Sequence, residues 1–359
     1  MISLIRGGAV QGSFGQGYLE NLSVPMSTVS SVRLLGEYKG KQQLFERQAP
    51  QTLSALREQA RVQSIESSNR IEGVTAAAGR VADLATEKTT PRDRSEQEIA
   101  GYRDVLSTIH ANAGGMEVSA GLMLQLHRDL YRFSPTSGGE WKSTPNDIVD
   151  VMPDGTHRLR FSPVAPHLVE DAARELVTGY RSLRSEETVD PLFSVPAFVL
   201  DFLCIHPFRD GNGRMSRLLN LMLLYHGGYE VGRYISLEKV IEDSKETYYE
   251  ALEASSRGWH EGEHDLVPWL QYSHGVLLAA YLEFEQRVGQ MGAGRGAKRE
   301  MVIECIRHLP MTFRYADIEH ACPGVSRPTI VRVLGELRDK GEIHCAKSGR
   351  DATWERMSP

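Results

Sequence analysis

The 359 residues predict a mainly α-helical chain: a helical body carrying one β-hairpin, followed by a small second domain of short helices and strands. Three observations carry that prediction. Apolar residues recur at helical spacing through most of residues 31–288. One segment breaks the rhythm, where Asp147-Ile148-Val149-Asp150-Val151 and Arg158-Leu159-Arg160-Phe161 flank the turn residues Pro153-Asp154-Gly155. Then Gly289-Gln290-Met291-Gly292-Ala293-Gly294-Arg295-Gly296 has the composition of a flexible linker, with new periodic segments beyond it.

Composition sets the class. Hydrophobic residues make up 41% and charged residues 25%, ordinary for a soluble globular protein. The net charge of −6 argues against indiscriminate nucleic-acid binding by the whole molecule and leaves room for a local basic face. Cys204, Cys305, Cys322 and Cys345 are scattered without a C-x-x-C pair, so neither a disulfide framework nor a zinc site is expected. Met1 to Tyr18 is rich in Gly and Ser and lacks the apolar core of a secretory signal. No run of about 18 uncharged apolar residues exists to cross a bilayer. A reducing cytoplasm and no membrane contact are the expectation.

In chain order, residues 1–30 read as an irregular or partly ordered arm, and 31–115 as an N-terminal helical region. Its first helical pattern, Ser31 to Glu72, is broken near Ala49-Pro50 and ends at Gly73, a good helix terminator. Ser95 to Ala113 is helical again. Residues 116–288 form the core: a short amphipathic helix at Met123–Tyr131, the hairpin, and a helix from His167 to Arg184. Leu192 to Ile205 is almost continuously apolar and suits a buried helix. Glu238 to Arg257 and Leu266 to Val288 complete the body. Past the linker at 289–297, residues 298–359 carry helical patterns at Lys298–His308, Tyr315–Ala321 and Ser326–Lys340, then strands at Glu342–Ala346 and Ala352–Arg356.

The chemistry concentrates at Ile205-His206-Pro207-Phe208-Arg209-Asp210-Gly211-Asn212-Gly213-Arg214-Met215-Ser216-Arg217. A residue before proline is biased out of the helical region, so the apolar helix should stop at His206. Asp210-Gly211 and Asn212-Gly213 are turn dipeptides, and a helical pattern resumes at Arg214 and runs to Tyr225. A tight loop therefore feeds a helix N-terminus, where free amides and the dipole favour an anion. Arg214 and Arg217, three apart, project from one helix face. An imidazole, a carboxylate, an amide nest and two guanidiniums suit a polyphosphate. There is no G-x-x-x-x-G-K-[ST], and Ser216 stands where a dinucleotide fingerprint wants glycine or alanine.

The pattern H-P-F-x-D-G-N-G-R-x-x-R is the signature of Fic-domain proteins, and this segment resembles it at every defining position, over a body of roughly residues 30–288. The resemblance implies a Fic-type helical bundle whose hairpin is a flap for a target segment, and transfer of AMP from ATP to a hydroxyl of a protein. His206 would be the catalytic base, by virtue of an imidazole pKa near neutrality. Asp210, the loop's one carboxylate, would hold Mg²⁺ against the phosphates. Gly211, Asn212 and Gly213 would present amides to the phosphates, with the Asn212 side chain helping to orient the α-phosphate. Arg214 and Arg217 would clamp the outer phosphates, Arg217 taking the γ-phosphate. Tyr248 and Tyr249 would either stack near the adenine or belong to the core.

Ser68-x-x-x-Glu72-Gly73 resembles the inhibitory helix motif found N-terminal to the core in one class of Fic proteins. Ser68 and Glu72 share a helix face one turn apart. In that class the glutamate pairs with the second motif arginine, here Arg217, and denies the γ-phosphate its site.

Residues 298–359 look like a winged helix-turn-helix domain with a two-stranded wing. It holds 11 Lys+Arg against 9 Asp+Glu, with Arg327, Arg332, Lys347 and Arg350 on the third helix and wing. DNA binding and a packing or dimerisation role both stay open. Three functions compete: an autoinhibited protein adenylyltransferase acting on a Ser, Thr or Tyr of a target or of itself; removal of AMP or transfer of another phosphate-containing group; and a nucleotide-sensing DNA-binding regulator. Target and oligomeric state, a homodimer included, are left open.

Overall fold

The computed structural model describes residues 12–15, 17–48, 50–77, 79–151, 156–292, 297–309, 311–321, 325–347, 349 and 352–357. The expected hairpin turn Pro153-Asp154-Gly155 lies outside them, as do Cys322 and Arg350. The chain forms two compact units: the described residues up to Gly36 together with Gln59–Ala280, and Glu37–Glu58 together with the residues from Tyr281 onward.

Helices come first: α1 (Met26–Gln48), α2 (Pro50–Ile71), α3 (Arg80–Ala85), α4 (Arg94–Asn112) and α5 (Ala120–Leu130). The hairpin β1 (Ile148–Val151) and β2 (His157–Phe161) follows, then α6 (Val169–Glu186), α7 (Pro191–Ile205), α8 (Asn212–His226), α9 (Leu237–Asp243), α10 (Lys245–Ser256) and α11 (Val267–Gly292). The rest comprises α12 (Ala297–His308), β3 (Thr312–Arg314), α13 (Tyr315–Ala321), α14 (Arg327–Asp339), β4 (Ile343–Lys347) and β5 (Thr353–Arg356). The mainly helical fold and the single hairpin in the body agree with the sequence.

In the first unit the core is α7 packed on α8. From Leu192 to Ile205 nearly every side chain of α7 is buried, as its unbroken apolar run requires, and Leu218, Leu219, Leu221, Met222 and Leu223 of α8 are buried too. Asp190 caps α7 by accepting from the Leu192 N–H, with Pro191 in the first turn, where a missing N–H costs nothing. The hairpin pairs Ile148 with Phe161 and Val149 with Leu159 across an irregular register step.

Four boundaries differ from the sequence reading. Gly12–Gly15 and Gly17–Asn21, expected as part of an irregular arm, make turns, and Ser13 is buried, its backbone N–H and hydroxyl both donating to Asp201 at 2.7 Å. The first helix begins at Met26, ahead of Ser31. The segment 238–257, expected as one helix, divides at Ser244, whose hydroxyl donates back to the Val240 carbonyl (2.8 Å) while its backbone leaves the helical region. The last helix of the body runs on through Gly289–Gly292, into the expected linker, and residues 293–296 lie outside the described set.

The second unit has its own core, with Val302 and Ile306 of α12, Phe313, Ile318, Ile330, Val333, Leu334 and Leu337 of α14, and Ile343. Its sheet has three strands in the order β3-β5-β4: the two expected strands pair antiparallel, and β3, too short to register as a pattern, adds a third.

Candidate active site

The site is a loop held shut between α7 and α8. His206 ends α7 in the left-handed region, with φ +50°. Its N–H still bonds the Phe202 carbonyl at 2.9 Å, but Pro207 bars the helical conformation and the chain must turn. A non-glycine residue there carries strain of about 1–3 kcal/mol, which the surrounding contacts sustain.

Those contacts are numerous. Asn212 accepts from the Phe208 N–H (2.9 Å) and donates to the Phe208 carbonyl (2.7 Å), tying the loop across its neck. The Asn146 amide donates to the same carbonyl at 2.8 Å, and the Lys142 N–H donates to the Pro207 carbonyl at 2.9 Å. The Gly139 N–H donates to His127 Nδ1 (2.8 Å), so the proton of neutral His127 sits on Nε2, which donates to the Asp210 carbonyl (3.1 Å). Burial pushes His127 down to about 4, which preserves that tautomer. Its ring stacks on Phe208 with centroids 3.7 Å apart.

His206 Nδ1 lies 3.2 Å from the Leu203 carbonyl, an acceptor, so the neutral ring carries its proton on Nδ1 and Nε2 keeps a lone pair. Burial pushes His206 down to about 4, against the Leu203 bond; the Lys142 charge lowers it further, while Glu72 and Asp210 oppose. At neutral pH the imidazole is a proton acceptor.

Gly211, with φ +80°, precedes α8, whose N-terminus no side chain caps. Arg217 lies in the first turns of that helix, 4% exposed, and its three contacts all come from α2 or the residue just beyond it. Nε donates to Ser68 Oγ (2.8 Å), and Nη2 donates to the Ser68 carbonyl (2.9 Å) and to Glu72 Oε1 (2.8 Å). Burial works against this cation, yet Glu72 and the surrounding tyrosine hydroxyls hold its pKa above the usual guanidinium value. Gly213 provides the room: a Cβ there would stand 2.1 Å from Glu72 Oε1.

Behind this pair lies a buried polar cluster. Glu238, 1% exposed, accepts from Ser64 Oγ (2.7 Å) and from the Tyr102 hydroxyl (3.1 Å). Further along α2, Ser67 donates to Glu242 (2.7 Å) and Lys245 caps the helix end at the Ile71 carbonyl (2.9 Å). The segment bearing Ser68 and Glu72 is thus anchored to α9 and α10.

A cleft of about 260 Å³ opens beside His206. Leu200, Leu203 and Leu252 line one part of it, the hairpin residues Ile148, Arg160 and Phe161 another. His206, Gly213, Glu72, Tyr248 and Tyr249 share it, so the structure brings these together. Arg217 is not among the lining residues; the carboxylate bonded to it is.

Two motif side chains already have protein partners. Arg214 is buried at 1% exposure, with Nη1 2.8 Å from Glu98 Oε2 and Nη2 donating to the Tyr131 hydroxyl at 3.0 Å. It ties α8 to Glu98 of α4 and to Tyr131 at the end of α5. The Asn212 side chain, 2% exposed, uses its oxygen and one of its two N–H donors on Phe208. Tyr248 is 4% exposed against Trp269 and Tyr272, mostly core with an edge on the cleft. Tyr249 lies under the Arg160 guanidinium, 5.2 Å from its ring centre. Asp210 is exposed at the loop, its Oδ1 accepting from the Gly211 N–H at 2.7 Å. Sequence reasoning missed His127, Lys142, Asn146 and Glu98. Each acts on a partner 62 or more residues away, as His127 does on Asp210, and no local pattern marks such a pairing.

Comparison with known proteins agrees with the motif. Residues 117–224 match the model of the Fic/DOC family. A Fido domain-containing protein of Dictyostelium discoideum is 31% identical over 117 residues, 32% of this chain and 77% of its own length. The protein of Aquifex aeolicus named probable protein adenylyltransferase is 31% identical over 183 residues, covering 48% of this chain and 52% of that protein. Protein adenylyltransferase fic-1 of Caenorhabditis elegans is 26% identical over 211 residues, 56% of this chain and 37% of its own length. The chain thus spans about half or less of those two adenylyltransferases. Among solved structures, a Fic family protein of Desulfovibrio desulfuricans G20 superposes with a TM-score of 0.62 at 22% identity, over 94% of this chain and 98% of that one, a likeness of fold. With the loop, the helix pair and these relatives in agreement, the chain belongs to the Fic/DOC family.

Proposed function

We propose that this protein transfers AMP from ATP to a hydroxyl side chain of a protein, and that Glu72 restrains it. The observation that carries the reading is His206: a neutral imidazole with its Nε2 lone pair available, on the wall of a cleft beside an uncapped helix N-terminus. A Ser, Thr or Tyr hydroxyl is barely ionised at pH 7 and needs such a base. His206 Nε2 takes the hydroxyl proton as the oxygen bonds to the α-phosphorus. The bond to pyrophosphate breaks, and the protein keeps a phosphodiester to AMP. The α8 amides stabilise charge spread over the phosphoryl oxygens.

The residues present fit Mg²⁺. Among the described residues no cluster of three or more His, Cys, Asp or Glu could cage a metal, and Asp210 is an exposed single carboxylate. That donor set suits an ion that keeps its waters and takes phosphate oxygens. When bound it would neutralise polyphosphate charge, with Asp210 as its protein ligand.

The test is label transfer from α-labelled ATP with Mg²⁺ to the protein itself or to lysate proteins. His206→Ala should lose about 10²–10⁴ in rate while still binding ATP. Label incorporation by His206→Ala at the wild-type rate refutes the assignment. Removal of AMP from a modified protein uses the same residues with Glu72 activating water, and loss of AMP release in Glu72→Gly would favour it.

A role for the second unit in DNA binding draws support from α14, where Arg327, Val331 and Arg332 are exposed and Arg332 stands 3.9 Å from its glutamate partner, Glu336. A gel shift that weakens steeply with salt and is lost in Arg327→Glu/Arg332→Glu would establish it. The absence of any shift at low salt would leave a protein-interaction role.

A further inference from the structure

The segment before the hairpin carries a charged side chain that the chemistry above does not use. Lys142 is 4% exposed. Its Nζ donates to Asn146 Oδ1 at 2.7 Å and to the Ile205 carbonyl at 3.3 Å, and its N–H donates to the Pro207 carbonyl at 2.9 Å. Ile205 and Pro207 are the two neighbours of His206, and Asn146 holds Phe208, one residue further on. Lys142 therefore grips the backbone on both sides of the histidine.

Among the described residues no carboxylate pairs with the ammonium, and Asp147 alone tempers it from a distance. An ammonium bonded only to neutral oxygens is costly to bury, and burial pushes Lys142 down to about 8. It stays charged at neutral pH. Its surroundings make that charge useful. Glu72 and Asp210 both favour a protonated His206, and an arriving polyphosphate adds about four negative charges that do the same. Lys142 is the charge on the other side.

We infer that Lys142 is a positioning residue for His206: it fixes the backbone carbonyls flanking the histidine, and its ammonium opposes protonation of the imidazole. The inference rests on His206 acting as the base, but the coupling between the two side chains is measurable without any turnover.

The measurement is the NMR titration of the His206 ring carbon–proton signal, assigned by its loss in His206→Ala, in the full-length protein. Lys142→Met and Lys142→Gln remove the charge, and the glutamine retains a donor for the Ile205 carbonyl. Both should raise the His206 midpoint by about half a pH unit or more, while Lys142→Arg should leave it within about 0.2 units. Unchanged midpoints in the folded neutral variants overturn the inference. The acid limb of the AMP-transfer rate should follow the NMR midpoint. A limb that stays put while the midpoint moves refutes His206 as the base and leaves the coupling standing. A purely structural lysine predicts lower rates in all three variants with no movement of either.

Discussion

Glu72 Oε1 and Arg217 Nη2 stand 2.8 Å apart, the arginine 4% and the glutamate 32% exposed. The pair is half shielded: Ser68 gives the guanidinium two further bonds, and the carboxylate rests above Gly213 at the mouth of α8. A phosphate arriving at Arg217 must displace a partner already in place.

Glu72→Gly should therefore raise AMP incorporation at least tenfold, since each ~1.4 kcal/mol returned to the productive pose is about a factor of ten. Arg217→Ala should not reproduce the gain, because it removes the proposed phosphate ligand along with the lock. Initial rates of incorporation for the two variants decide the matter, and an unchanged rate in Glu72→Gly removes the lock.

Gly213→Ala should weaken the same contact by steric means. Its new Cβ would lie 2.1 Å from Glu72 Oε1, the end of a flexible side chain that can swing away into the cleft. Incorporation should rise by about two- to tenfold, less than in Glu72→Gly. In a Glu72→Gly background the same change should add nothing. An equal gain in both backgrounds would show that Gly213 acts independently of Glu72.

Arg214→Ala should destabilise the protein by about 1–3 kcal/mol, because it takes the buried partner from Glu98 and leaves that carboxylate with the exposed Arg94. Replacing both partners, as Glu98→Met/Arg214→Met, should cost much less. Urea midpoints of the two proteins supply the test. Equal losses would mean that Arg214 contributes through packing alone.

Acid should destabilise the fold below pH 6.5. Burial holds His127, His206 and His264 down to about 4, so between pH 6.5 and 4 the unfolded chain binds protons that the fold refuses. Stability is full above the unfolded value and falls as pH drops towards the folded one. Asp201, raised to about 6 by burial, has the opposite sign below pH 6 and cancels roughly one histidine. His226 and His274, also pushed down by burial, add to the histidine side, so the net effect of acid is destabilising. Urea midpoints at pH 7, 6 and 5 should fall in that order, and Asp201→Asn should steepen the decline.

How much of this was written in the sequence differs from residue to residue. Local chemistry set the elements: the apolar run 192–205, the proline after His206 and the glycines beyond it place the end of α7 and the turn into α8. The Ser68-to-Glu72 spacing put both side chains on one helix face, because helical periodicity is a local property. The fates of Arg214 and Asn212 were not legible. Each sits in the motif beside residues that reach the cleft, and only the rotation of α8 against α4 and α5 sends one guanidinium inward to Glu98 and leaves the other to Glu72. Lys142 and His127 carry no signal of their own, since their partners are brought to them by packing across 62 and more residues. Sequence determined which groups this protein owns and where its helices stop. Tertiary structure decided which of those groups face the cleft, because burial and long-range pairing depend on how the helices pack against one another.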